Sequence, residues 1–311
     1  MTNAQPKTPA AAAAAAADYD RAGQDVGNIL GLEHVNLTIT DRDLANRFYV
    51  SGLGFTYDPY IDLGSFGTTW VNLGSQQMHL VHAPQAQRLR GRVGLVVPDP
   101  EAAIRRLDRM MERVPEVADS AVGHTMSNGE LLVTGPWGNT FRLHGPDEIE
   151  GFELGMPYVE MDIEPGRAAG VAAFYAEVMG SPTVIETDPA PTAVVAAGRR
   201  QQIRFRETDK PISDYDGHHI AIYLNNFSRP YDELLGRGLI TRETDENEYR
   251  FTDIVDPENG EPCAVIEHEV RSMFHPMFGR ELVNRQAGQG LGRRYRQGHD
   301  TQPGLHLSGL G

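Results

Sequence analysis

A fourfold internal repeat constrains the fold of this chain more than any other feature of its sequence. Four times, a strand pattern is followed by a loop and a helix pattern, in units that begin with residues 32–55, 92–111, 158–180 and 219–239. Each unit closes on a further strand pattern, at 78–82, 140–145, 202–207 and 264–269. Asp41 and Asp99 stand where two of the helices should start. We therefore predict four units, each with one strand, one helix and about three more strands, and we call them units 1 to 4.

The four units are expected to pair into two domains. A single unit would expose one apolar face of its sheet, so it needs a partner to bury that face. Pairing in chain order gives one domain over residues 30–148 and a second over 155–275. The acidic stretch 145–155 then serves as the linker between them.

The two ends of the chain lie outside the repeat and are low in complexity. Residues 1–29 contain an alanine run without bulky apolar side chains, and residues 284–311 are rich in Gly, Arg, Gln and His. We expect a disordered arm and a disordered tail, with solvated histidines in the tail. The first segment lacks the basic start and bulky apolar stretch of a signal peptide, which favours a cytoplasmic protein.

Charge and cysteine content exclude several classes of partner and site. Lys and Arg number 28 against 43 Asp and Glu, a net charge of −15. Such a surface repels phosphate backbones and anionic lipid, so we expect a small-molecule partner and neither nucleic acid nor membrane. The single cysteine, Cys263, excludes an intramolecular disulfide and a Cys-based zinc site. Both a monomer and a homodimer are compatible with four units in one chain.

Several segments resemble the vicinal oxygen chelate superfamily, which includes glyoxalase I, extradiol dioxygenases and the fosfomycin- and bleomycin-resistance proteins. They are HVNLTI…RFYVSGLGF, VEMDI…AFYAEVMG, HIAIYL and DPENG…VIEHE. The spacing from His34 to Phe48 equals that from Glu160 to Phe174, so the aromatic pairs of the two helices coincide. The resemblance implies an α+β fold in which four βαβββ units form two tandem domains with half-barrel sheets. It also implies a divalent metal ion held by first-strand and last-strand residues.

In the first pair of units, the resemblance places His34, Arg92, His79 and Arg142 in the family's ligand positions. Arginine has no lone pair to give to a cation, so this cavity is expected to be metal-free. We expect its two histidines to be buried and hydrogen-bonded. The alternative is that they hold an anionic ligand together with the two arginines.

In the second pair of units, the same positions hold Glu160, His219, Arg204 and Glu267. The resemblance thus implies that Glu160, His219 and Glu267 bind Fe(II), Mn(II), Co(II), Ni(II) or Zn(II). Arg204 would bind a substrate carboxylate or enolate beside the metal. The alternative is an ion-pair cluster without a metal, in which Arg204 pairs with the glutamates.

Three functions follow from the resemblance. In a glyoxalase-like isomerase or lyase, the metal binds adjacent substrate oxygens while Glu160 or Glu267 serves as general base. In an extradiol-type dioxygenase, Fe(II) binds a catecholate and O2, but that family has His in place of Glu160 and Tyr in place of Asp253. These two departures favour the isomerase or lyase. The third possibility is a non-catalytic binding protein that sequesters a small molecule.

Overall fold

The computed structural model describes residues 24–58 and 68–284, in which sixteen strands form two eight-stranded mixed sheets. Units 1 and 2 contribute β1 (Ile29–Ile39), β2 (Thr56–Tyr57), β3 (Thr68–Leu73), β4 (Gln76–His82), β5 (Gly91–Val96), β6 (Gly123–Ser127), β7 (Glu130–Thr134) and β8 (Thr140–His144). Units 3 and 4 contribute β9 (Gly155–Ile163), β10 (Thr183–Glu186), β11 (Thr192–Ala196), β12 (Gln202–Glu207), β13 (His219–Leu224), β14 (Ile240–Asp245), β15 (Glu248–Val255) and β16 (Pro262–Ser272). The predicted α+β fold of four repeated units is confirmed.

Each unit has a helix between its first and second strands. The helices are α1 (Arg42–Ala45), extended by a π-helical segment Asn46–Gly52, α2 (Pro100–Arg113), the short α3 (Pro115–Ala118), α4 (Ala168–Phe174), extended by a π-helical segment Tyr175–Met179, and α5 (Ser228–Gly236). Asp41 and Asp99 cap α1 and α2, because their carboxylates accept backbone N–H bonds of 2.9 and 2.8 Å from Leu44 and Ala102. Both helix starts were predicted from the sequence.

The sheets do not follow the chain-order pairing of the units. The order in the first sheet is β14-β15-β16-β13-β1-β4-β3-β2, and in the second β10-β11-β12-β9-β5-β8-β7-β6. Unit 1 thus shares a sheet with unit 4, through antiparallel β1 and β13, and unit 2 shares one with unit 3. The predicted pairing of units is corrected, because each sheet draws strands from both ranges, while the division of the chain at 30–148 and 155–275 stays a prediction. Long chain separation is a weak obstacle to such pairing, since loop-closure entropy grows slowly with length.

Consecutive units are nevertheless joined, through their helices. In unit 1, Phe48 and Tyr49 each pack 5.8 Å from the ring of Phe141 in the second sheet. In unit 3, Phe174 lies 5.8 Å from Phe251 in the first sheet. Phe48 with Tyr49, and Phe174 with its neighbour Tyr175, are the helix aromatic pairs whose positions coincide in the sequence repeat. They carry one hydrophobic core across both sheets.

The described chain extends beyond the predicted limits of the repeat. Residues 1–23 of the predicted arm and 285–311 of the predicted tail lie outside the described residues. Asn28, at the end of the predicted arm, donates from Nδ2 to the carbonyls of Met179 and Asn226 at 2.9 and 3.0 Å. Asn284 is buried and donates to the carbonyl of Gly74 at 2.7 Å. Among the described helices, none has the length and apolar character needed to cross a membrane.

Candidate metal centre

Three metal-ligating side chains converge at the centre of the first sheet. His34 on β1 and His219 on β13 belong to the antiparallel strand pair that joins units 1 and 4. Glu269 lies on β16, beside β13. One donor atom from each of the three lies within 4.8 Å of the other two. His34 and Glu269 are buried, and His219 is nearly so.

The strand register gives units 1 and 4 equivalent ligand positions. His34 is aligned with Gln77, and His79 follows two residues later on β4. His219 is aligned with Glu267, and Glu269 follows two residues later on β16. Residues two apart in a strand share a face, so Glu269 is the counterpart of His79. The candidate ligand on the last strand is therefore Glu269, two residues beyond the predicted Glu267.

His34 presents a nitrogen that has no hydrogen-bond partner among residues 24–58 and 68–284. A β-bulge between Leu32 and His34 interrupts the register of β1, and Glu33 accepts a 2.9 Å hydrogen bond from His34 Nδ1. Burial lowers the pKa of His34, which keeps the ring neutral. Its Nε2 then carries a lone pair, yet this atom is buried without a hydrogen-bond partner. A metal ion would satisfy that atom, and a carboxylate bound to the other nitrogen is typical of metal-ligating histidines.

Glu269 is held as a carboxylate beside His219. Its Oε2 lies 3.3 Å from His219 Nε2, and Arg250 and Arg271 both form ion pairs with it. Burial alone would raise the pKa of Glu269, but the bond to His219 and the positive charges around it hold that pKa well below its ordinary value. The side chain is therefore an ionised oxygen donor.

His79 supports the centre from one side. Its ring stacks between those of His34 and Trp70, at centroid distances of 3.6 and 3.8 Å. Its Nε2 lies 3.1 Å from Gln77 Oε1, which occupies that nitrogen. His79 is not within the group of three converging donors. The predicted burial and hydrogen bonding of His79 are confirmed, and its stacking fixes the ring of His34.

A charged network surrounds the three donors. Tyr223 donates a 2.7 Å hydrogen bond to Glu33, which also pairs with Arg271. Arg250 binds Glu267 at 2.7 Å as well as Glu269. These arginines neutralise the carboxylates and fix their orientation.

The segment after β16 returns to unit 1 past this network. Phe278 packs 5.0 Å from the ring of Tyr223, and Arg280 lies 6.0 Å over the ring of Trp70. Arg280 also pairs with the buried carboxylate of Asp58. The carbonyl of Val283 then accepts a 3.1 Å hydrogen bond from Asn72 on β3. This segment therefore ties unit 4 to unit 1 beside the candidate centre.

The predicted combination of Glu160, His219 and Glu267 is not formed. Glu160 lies on β9 in the second sheet, because unit 3 pairs with unit 2. There its carboxylate pairs with three arginines, Arg92 at 2.9 Å, Arg206 at 3.3 Å and Arg204 at 3.4 Å. Glu160 and Arg204 thus form the ion pair that the alternative described. Of the three expected ligands, His219 lies at the centre and Glu267 adjoins it, with Oε1 3.5 Å from His219 Nδ1.

Sequence reasoning missed His34, Glu33 and Glu269 as parts of one site. His34 was assigned to a metal-free cavity, because unit 1 was paired with unit 2. The available signal was the equivalence of His34 and His219, the only two histidines in the four first-strand positions. Pairing units by like residues would have brought them together.

A family model matches part of the chain. Residues 31–143 match the model described as the Glyoxalase/Bleomycin resistance protein/Dioxygenase superfamily. These residues are similar to a domain of that superfamily. The match spans units 1 and 2, which contribute to different sheets and share a core through Phe48 and Phe141. The resemblance inferred from the sequence is confirmed.

Solved structures of other proteins share the fold. Glyoxalase I from Zea mays superposes with a TM-score of 0.54 at 13% identity, covering 78% of this chain and 92% of its own. A Bacillus subtilis protein named "putative dioxygenase" gives a TM-score of 0.51 at 15% identity, with coverages of 82% and 92%. No curated protein matches the chain. At these identities the similarity concerns the fold alone.

The Glu33→Gln variant is expected to bind a divalent metal about 10–100-fold more weakly, because Glu33 orients His34 and fixes its tautomer. Competition against a chromophoric chelator measures the affinity. Glu101→Gln, on the exposed surface of α2, is the matched control and should leave the affinity unchanged. Equal affinities in the two variants would show that Glu33 does not support a ligand.

Proposed function

We propose that this protein is a metal-dependent enzyme that binds a small substrate through adjacent oxygens at the centre formed by His34, His219 and Glu269. The observation that carries the proposal is the convergence of three donors with one buried nitrogen unpartnered. When bound, a divalent ion supplies a Lewis acid for the substrate oxygens and, if it is Fe(II), a redox centre for O2.

The residues present fit such an ion. Two imidazoles and one carboxylate suit Fe(II), Mn(II), Co(II), Ni(II) and Zn(II). One carboxylate neutralises half of the 2+ charge, so the centre favours an anionic substrate oxygen. Glu33 and His79 hold the ring of His34, and Arg250 and Arg271 hold Glu269. These contacts preorganise the donors before the substrate arrives.

Ring-cleaving dioxygenase chemistry fits this donor set best. Two histidines and one carboxylate with open positions are typical of non-haem Fe(II) oxygenases. The main sequence argument against this chemistry was Glu160 in a histidine position, and Glu160 is not in the centre. The preference therefore changes from the isomerase or lyase to the dioxygenase.

A glyoxalase-like isomerase or lyase is the second candidate, and Glu267 favours it. Its carboxylate adjoins His219 and is partly exposed, so it can reach a substrate C–H beside a carbonyl. Its pairing with Arg250 opposes this role, because the guanidinium occupies the Oε1 atom that would otherwise be free to take a proton.

One pair of assays separates the candidates. The anaerobic protein is loaded with Fe(II) and offered a panel of catechols, and O2 is then admitted. Proton exchange of α-hydroxyketones in D2O is followed in parallel with Mn(II), Ni(II) and Zn(II). We expect O2 uptake and a yellow ring-cleavage product that His219→Ala abolishes. Metal-dependent exchange without O2 uptake would support the second candidate, and metal-free protein inactive in both assays would indicate a binding protein.

A further inference from the structure

The second sheet has its own cavity, at the place equivalent to the metal centre. Its volume is about 600 Å³, and it is lined by residues of units 2 and 3. Arg92 on β5 is aligned with Thr140 on β8, and Arg142 follows Thr140 two residues later. In the same way, Glu160 on β9 is aligned with Arg204 on β12, and Arg206 follows Arg204 two residues later. The counterparts of His34, His79, His219 and Glu269 are thus Arg92, Arg142, Glu160 and Arg206. Three guanidinium groups among these four positions exclude a cation.

The charge of the cavity wall is opposite to that of the whole chain. Five arginines line it, namely Arg92, Arg142, Arg200, Arg204 and Arg206. Three carboxylates face them, those of Glu130, Glu148 and Glu160, so the wall carries an excess of two positive charges in a chain of −15. Three further carboxylates lie outside the lining: Glu150 and Glu186, which are solvent-exposed and pair with Arg200 and Arg204, and the partly exposed Asp162, which pairs with Arg206 at 2.8 Å. Solvent weakens the compensation they provide.

Two carboxylates hold these guanidinium groups around the cavity. Glu130 accepts from Arg92 Nη1 at 2.6 Å and pairs with Arg142 Nη1 at 2.7 Å. Glu160 bridges Arg92, Arg204 and Arg206. Each guanidinium has five N–H donors in a fixed planar fork, so these pairs occupy only part of the donor capacity. The arginines are therefore preorganised towards the cavity with hydrogen-bonding capacity left over.

We propose that this cavity binds a small dianion, a phosphate monoester or a dicarboxylate, through Arg92, Arg142 and Arg206. Planar bidentate recognition of carboxylate and phosphate is what a guanidinium cluster does best. His144 and Tyr158, whose Nε2 and hydroxyl lie 2.9 Å apart, add polar groups at the same wall. The protein thus carries a metal centre in one sheet and an anion site in the other.

The proposal is tested by titrating the full chain with inorganic phosphate, with succinate and with acetate. Isothermal calorimetry is run at constant ionic strength in EDTA, so that metal-bound anion does not contribute. Phosphate or succinate should bind saturably and acetate weakly, and the two dianions distinguish phosphate from dicarboxylate recognition. Arg142→Gln should weaken binding at least about tenfold, because it removes a charged donor. Arg105→Gln, on the exposed face of α2, is the matched control and should not change it.

A variant that should bind the dianion more tightly, and not more weakly, separates loss of the site from a folding defect. Glu130→Gln removes the carboxylate that occupies Arg92 and Arg142, so it should tighten dianion binding. Circular dichroism confirms that each variant is folded. No saturable binding by wild type, or equal binding by wild type, Arg142→Gln and Glu130→Gln, would overturn the proposal.

Discussion

The His219→Ala variant is expected to bind a divalent metal at least about 100-fold more weakly than the wild type. Loss of an outer group that only orients a ligand already costs about 10–100-fold, and His219 is itself a proposed ligand. Its removal leaves one imidazole and one carboxylate, too few donors to retain an ion against a chelator. Elemental analysis after dialysis against EDTA, with a chelator competition titration, measures the loss.

The matched control for this variant is Glu160→Gln. Glu160 is as buried as the donors of the centre, but its carboxylate belongs to the ion-pair cluster of the second sheet. We expect Glu160→Gln to keep its metal even if its stability falls. Loss of metal from Glu160→Gln, with retention in His219→Ala, would support the grouping predicted from the sequence and refute the one described above.

The Phe174→Ala variant is expected to lose about 3–5 kcal/mol of unfolding free energy, the usual cost of deleting a buried phenyl ring. Phe174 is 0% exposed and packs against Phe251 of the other sheet, where helix α4 joins units 3 and 4. The cavity left behind cannot close without moving two sheets. Urea unfolding followed by circular dichroism gives the free energy.

Phe274→Ala is the control for this prediction. Phe274 has the same side chain but is 86% exposed, so its truncation should change the free energy by less than about 0.5 kcal/mol. Similar losses in the two variants would mean that Phe274 is covered in solution. A loss below about 1 kcal/mol for Phe174→Ala would show that α4 does not join the two sheets as described.

The sequence predicted the units of this fold and not their pairing. Strand and helix periods define each βαβββ unit locally, and the caps Asp41 and Asp99 are local features too. The choice of partner is made by the edges of β1 and β13, which lie 180 residues or more apart. Both edges are apolar β-strands with the same backbone groups, so their strand patterns do not distinguish the partners. Only the shared first-strand histidines, His34 and His219, pointed to the pairing. Glu160 was wrongly grouped with His219 because the sequence leaves the pairing of the units ambiguous.

The sequence also could not specify which glutamate of the last strand is the candidate ligand. Glu267 and Glu269 point to the same face of β16, because they are two residues apart. Only the register of β16 against β13, and the equivalence with His79, favour Glu269. The role of Glu33 depends on a β-bulge, which no local sequence pattern predicts. Residue types were therefore predictable, while their convergence required the tertiary structure.

Anomalous diffraction from crystals of the metal-loaded protein would locate the ion. We expect one metal ion in the first sheet, about 2.0–2.2 Å from His34 Nε2, an imidazole nitrogen of His219 and a carboxylate oxygen of Glu269. An ion bound beside Glu160 in the second sheet, or a fully loaded protein whose ion touches none of these three side chains, would contradict this expectation.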